Sequence, residues 1–231
     1  RVLRELLPGK RTWAWSHIAD PAKFVHMLTT NGNIMVRTLA LLLGFAWFAN
    51  QGARFGDTIL AANHVLLQFV SFSAFFLDGY AYVVEMMVGK AVGARDEARF
   101  RREFKQATEV AALTALALAL LFWAFGSIAV QWLTSDAGVR AVAQRHVPLA
   151  CGYILVSFYA FQLDGVFIGA TKSAEMRNAS LFSFLFFLGL GTWLTTYWEN
   201  TGLWLAFIAY VIVRGLSLQF YIRRVHALFR E

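Results

Sequence analysis

Long apolar runs, broken by short polar segments, set the pattern of this chain. A helix of about 20 mostly apolar residues crosses the ~30 Å hydrocarbon layer of a bilayer. Six runs meet that requirement, at roughly 33–50, 59–89, 109–133, 147–170, 179–198 and 202–222. The breaks between them carry turn and charge signals. Gln51-Gly52-Ala53-Arg54-Phe55-Gly56-Asp57 separates the first pair, and a charged, amphipathic connector from Gly93 to Glu103 follows the second run. Thr134–Gly138 and Thr171–Asn178 read as turns, and Glu199-Asn200-Thr201-Gly202 as a tight return. The expected fold class is all-α, a polytopic transmembrane helical bundle of six spans. Residues 31–224 should form one domain, because no Gly/Ser-rich linker divides them, with 225–231 as a cytoplasmic tail. Residues 1–30 are expected as a cytoplasmic or interfacial segment: Pro8-Gly9-Lys10-Arg11 breaks the chain, and Trp13, Trp15 and His17 suit headgroup level.

The polar residues inside the runs narrow the picture. In the second run, His64, Gln68, Ser71, Phe75, Asp78, Tyr82 and Glu85 recur every three or four positions and so share one helical face. Asn63 borders this stripe. Lipid offers no hydrogen-bond partners, so the face must look into the bundle or a cavity. An interhelical hydrogen-bond seam explains the same spacing without transport chemistry. The string Ser71-Phe72-Ser73-Ala74-Phe75-Phe76-Leu77-Asp78-Gly79 returns as Ser157-Phe158-Tyr159-Ala160-Phe161-Gln162-Leu163-Asp164-Gly165, with seven of nine positions identical. Each copy puts one carboxylate at membrane depth, at a cost of roughly 2.5–3.5 kcal/mol on insertion scales. Residues that costly line water-filled paths, carry protons or hold cations. Gly165-Val166-Phe167-Ile168-Gly169 is a small-xxx-small pattern that admits a close neighbouring helix. Arg37 in the first span and Arg214 in the sixth cannot lose a proton, so each needs a carboxylate or a set of carbonyls. Asp78 or Asp164 is the expected partner of Arg37. Such a pairing would also serve as a purely structural explanation of the aspartate.

Composition agrees with a membrane protein: 58% of the 231 residues are hydrophobic and 15% are charged, against about 25% charged in soluble domains. The net charge of +7 does not indicate nucleic acid, because the basic residues flank apolar spans. Of 21 Lys and Arg, sixteen fall on one side of the six-span topology and three on the other. This bias predicts that both termini are cytoplasmic. One cysteine, Cys151, excludes an intrachain disulfide and a thiolate zinc cage. No phosphate-binding loop, His-Glu-x-x-His or Gly-x-Ser-x-Gly motif is present, and the five histidines lack metal-ligand spacing. Neither an enzyme nor a metal or other cofactor is therefore expected. The chain opens on basic juxtamembrane sequence without an initiator Met or signal peptide, as a fragment would.

Several strings, taken in order, resemble the DinF-like branch of the multidrug and toxic compound extrusion (MATE) transporters. They are Asn33-Ile34-Met35-Val36-Arg37-Thr38-Leu39, Gly52-Ala53-Arg54-Phe55-Gly56-Asp57, Leu60-Ala61-Ala62-Asn63 and Leu77-Asp78-Gly79-Tyr80-Ala81. Gly93-Ala94-Arg95-Asp96, Leu163–Thr171, Met176-Arg177-Asn178 and Arg214-Gly215-Leu216 continue the series. The resemblance implies two six-helix lobes around a central cavity with alternating access. This chain would be the carboxy-terminal lobe and residues 1–30 the tail of an inter-lobe connector. It further implies export of amphipathic or cationic organic molecules in exchange for protons or, alternatively, sodium ions, from the inner (plasma) membrane. In the DinF-like branch the proton-carrying aspartate belongs to the other, amino-terminal lobe. In the NorM-like branch a cation site in this lobe uses acids on its first and fourth spans. Here the fourth span offers Asp164, but the first offers Asn33, Arg37 and Asn50 and no carboxylate.

The expected function is thus half of a secondary active antiporter. Asp78 and Asp164 are the charge-bearing candidates on the substrate and ion pathway, with Glu85 near the cytoplasmic boundary. Asn33, Arg37, Asn63 and Gln68 are expected as their polar partners, and aromatic residues as an adaptable lining. Two alternatives are a lipid-linked precursor flippase, which would show a cavity lined by arginine, and a non-transporting membrane scaffold subunit.

Overall fold

The computed structural model describes residues 21–230, and their regular structure is entirely helical. Five helices follow one another: α1 Pro21–Arg54, α2 Asp57–Gly93, α3 Glu97–Leu133, α4 Ala137–Gly169 and α5 Ser173–Ala227. All five are long and apolar enough to cross a membrane. The segment containing Trp13, Trp15 and His17 lies outside the described residues. α1 starts at Pro21, a residue suited to a first helical position because it has no N–H to satisfy.

Five helices stand where six spans were expected, because α5 holds the last two. At 55 residues a straight helix would reach about 80 Å. It is not straight: Glu199 adopts φ 45° and ψ −125°, a non-helical conformation. Beyond it the chain doubles back. Phe187 stacks on Tyr210 with ring centroids 5.1 Å apart and lies 5.8 Å from Phe207. In a continuous helix residues 187 and 207 would be about 30 Å apart. The spans 179–198 and 202–222 are therefore the arms of one hairpin. Gly202 is required at its tip, where any Cβ would run into the Leu194 carbonyl.

Side-chain caps set two of the helix starts. The Asp96 carboxylate accepts from the Arg99 N–H at 2.8 Å, and Asp136 accepts from the Val139 N–H at 2.8 Å. The charged stretch expected as a connector is shorter than its composition suggests, since residues 97–103 already form the first turns of α3. Glu97 and Arg101, and Arg99 and Glu103, pair at helical spacing there.

α4 is the central helix. It packs on α2, α3 and α5, and two of its glycines, Gly165 and Gly169, let the α2 main chain come close. A Cβ at Gly165 would strike the main-chain carbonyl of Ala81, and one at Gly169 that of Glu85, both on α2. The small-xxx-small pattern thus acts as a backbone-to-backbone seam. An aromatic core lies between α1, α4 and α5, where Tyr153 stacks on Phe207 at 4.5 Å and Phe48 meets Trp204 at 5.1 Å. The outer faces are apolar: Leu113, Trp132 and Phe220 are 66%, 85% and 79% exposed, which suits lipid.

Candidate functional site

The duplicated sequence string converges on one place. Asp78 on α2 and Asp164 on α4 line the same cavity of about 370 Å³, together with Arg37 from α1, Glu85 from α2 and Arg214 from α5. Ser71, Tyr82 and Phe161 add to its wall, and Leu41, Phe45 and Val70 supply apolar surface. Four helices therefore contribute to one polar chamber inside a bundle whose exterior is apolar.

Asp164 is the fixed point of the chamber. It is 4% exposed, and its Oδ2 accepts from Arg37 at 2.7 Å and from Arg214 at 2.7 Å. The partner expected for Arg37 is present, and the second guanidinium shares the same oxygen. Oδ1 of Asp164 and the Nε atoms of Arg37 and Arg214 are buried without a hydrogen-bond partner among the described residues. Removing charges this deep from water costs several kcal/mol per ion, which pairing must repay. Two guanidiniums around one carboxylate leave a local excess of positive charge.

Asp78 differs in every respect. It is exposed on the chamber side of α2 and forms no ion pair among the described residues. The rest of its stripe is also open. His64, Gln68, Ser71, Phe75 and Tyr82 are exposed and Glu85 is half-buried, while Leu66, Leu77 and Val84 on other faces are buried. The periodicity thus located a face that the other described residues do not cover.

Other expected polar partners lie elsewhere. Asn63 is 2% exposed and is not part of the chamber wall. Its Nδ2 donates to Asn200 Oδ1 at 2.7 Å, and its Oδ1 accepts from Asn200 Nδ2 at 3.1 Å and from Trp204 Nε1 at 2.9 Å. The amide ties α2 to the tip of the α5 hairpin. Asn33 donates to Ser173 Oγ at 3.2 Å and accepts from Arg177 at 2.8 Å, so it joins α1 to the start of α5. Gln68 lines a separate, mostly apolar groove with Phe69, Phe72, Phe75 and Phe122.

Two chamber residues went unassigned in the sequence reading. Arg214 was singled out there without a named partner. Tyr153 extends the polar face of α4 backward, since 153, 157, 161, 164 and 168 recur at helical spacing. That periodicity was the available signal. Nothing in sequence spacing indicated that Arg214 would share an oxygen with Arg37.

The MatE family model matches residues 34–193. DNA damage-inducible protein F of Escherichia coli (strain K12) is 36% identical over 196 residues, covering 84% of this chain and 42% of that protein. A probable multidrug resistance protein NorM of Photorhabdus laumondii is 23% identical over 173 residues, covering 72% and 38%. The chain thus spans about two fifths of the length of these curated relatives. Among solved structures, a mutant of the Vibrio cholerae MATE transporter VcmN superposes with a TM-score of 0.85 at 18% identity, covering 95% of this chain and 51% of that one. An outward-facing multidrug resistance MATE transporter gives 0.75 at 14% identity, covering 86% and 45%. With a family match over most of its length and a fold shared with these carriers, the chain belongs to the MatE family of membrane transporters.

Proposed function

We propose that this chain is the carboxy-terminal six-span lobe of a secondary active antiporter that exports amphipathic or cationic organic molecules. The observation that carries this reading is the chamber itself. Three carboxylates and two arginines face one cavity within the helical bundle, and its α2 wall is left open by the packing of the described residues. An amino-terminal lobe would cover that wall and complete the cavity. The relatives named above include a probable multidrug resistance protein, which supports the substrate class. The protein would sit in the inner (plasma) membrane with both termini cytoplasmic, as the basic bias of the loops favours.

The roles divide by geometry. Asp164 is held by two guanidiniums and organises the chamber; its surplus positive surroundings suit neither a sodium ion nor a cationic substrate. Asp78 has a free carboxylate on the open side and is the group available to a proton or a cation. Protons are the favoured coupling ion, because the first span offers no carboxylate to complete a cation site with Asp164. A flippase for lipid-linked precursors is less well supported, because carboxylates outnumber arginines in the wall and Asp164 already engages both arginines.

The test is ethidium transport by purified full-length protein in liposomes, driven by a pH gradient or separately by a sodium gradient. The wild type should respond to the pH gradient, and Asp78→Asn should lower the rate at least about tenfold. A wild-type rate in Asp78→Asn removes that residue from the mechanism, and transport driven by sodium alone removes the proton.

A further inference from the structure

A second charged site lies at the end of the bundle where α3 begins and α5 finishes. A cavity of about 350 Å³ is lined by Arg101, Arg223, His226, Ala227 and Arg230, with no carboxylate in its wall among the described residues. We propose that this pocket binds the phosphate-bearing headgroup of an anionic phospholipid.

Three observations support the assignment. First, the lining side chains are placed rather than scattered. Glu97 holds two of the lining residues from outside the wall, accepting from Arg101 at 2.7 Å and contacting His226 Nδ1 at 2.9 Å. Phe100 packs against Phe229 at 5.4 Å and His226 at 5.5 Å, fixing the two helix ends to each other. Second, the other two arginines are uncommitted. The guanidiniums of Arg223 and Arg230 form no ion pair among the described residues, whereas neighbouring Arg224 is engaged by Glu175 at 3.1 Å. Arginine presents paired N–H donors that match phosphate oxygens. Third, the surface leading away from the pocket suits acyl chains. On α5 the turns before Arg223 expose Phe220, Leu216 and Ile212 at 79%, 61% and 39%. A headgroup in the pocket would leave its tails along this stripe. A free phosphate would use the cations and ignore the stripe, so the lipid is the better match. Basic pockets at the membrane boundary between helices commonly hold such headgroups. Neither Asp78 nor the chamber is involved, so the proposal stands or falls independently of the transport reading.

Native mass spectrometry of the purified full-length protein tests it, with phosphatidylglycerol, phosphatidylcholine of matched acyl chains, or inorganic phosphate added. The wild type should retain one phosphatidylglycerol in preference to phosphatidylcholine. The Arg223→Gln/Arg230→Gln double variant should lose about 25-fold of that preference, fivefold for each cation removed. Arg54→Gln, at the opposite end of the bundle, should leave it unchanged. Equal retention of the two lipids by the wild type, full retention by the double variant, or binding of inorganic phosphate as tightly as the lipid would each overturn the proposal. Because the wild type alone discriminates the lipids, the result does not depend on the variant folding.

Discussion

Arg214 donates to Asp164 at 2.7 Å from a position only 6% exposed, on a helix separate from the one bearing the aspartate. A buried pair of this kind contributes little net stability, yet breaking it is costly because the surviving charge has nowhere to go. Asp164→Asn strands Arg214 and leaves Arg37 without its partner. The variant should be destabilised by about 3–5 kcal/mol. Thermal unfolding of the purified protein in detergent should show a clear loss against wild type. An unchanged midpoint would mean that the two arginines find other partners.

The α2–α4 seam predicts a contrast between glycines. Gly165→Ala places a methyl group against the Ala81 carbonyl, and Gly169→Ala places one against the Glu85 carbonyl. Each should cost about 1–3 kcal/mol, since main chain cannot rotate aside as a side chain can. Gly79, directly after the other aspartate, has nothing within 4 Å of its would-be Cβ. Gly79→Ala should be neutral or stabilise α2 by up to about 1 kcal/mol. Comparable losses at all three positions would argue against the seam.

The reciprocal amide pair between Asn63 and Asn200 should be energetically coupled. Asn63→Leu leaves Asn200 and the Trp204 N–H without their partners, at a cost of about 1–3 kcal/mol. Asn200→Leu should behave similarly, and the double variant should lose less than the two singles added together. A double-mutant cycle on unfolding midpoints measures this; additive losses would show that the amides do not act as a pair.

Water access to the α2 stripe can be read by cysteine labelling. Cys151 is the only cysteine in this chain and is buried, so Cys151→Ala provides the background, with labelling of the unmodified protein subtracted. Ser71→Cys and Asp78→Cys should react with a membrane-impermeant maleimide, because thiolate forms only where water reaches. Leu77→Cys, at a position 1% exposed, should not. Silence at 71 and 78 would place the stripe against lipid or dry protein.

The sequence made the helices legible through their apolar runs. It also showed the α2 stripe and the paired aspartates, because helical period and repetition are local properties. The partner of Arg37 followed from charge necessity. Neutral amides, whose distant partners no charge requirement dictates, were not placed by the sequence. Asn63 borders the polar stripe by number, yet it turns toward Asn200 and Trp204, which no local rule connects to it. Asn33 likewise serves Ser173 and Arg177. The helix count differed because the tight return read at Glu199–Gly202 is compressed around a single residue with positive φ.

The break at Glu199 has a bearing on biogenesis. With the turn confined to one residue and its neighbours, the two arms of α5 meet at almost no loop-closure cost. Neither arm has to cross the lipid before the other is available to shield it. The closing pair of crossings can enter the bilayer together, as a preassembled wedge whose blunt end is then fastened by the amide of Asn63.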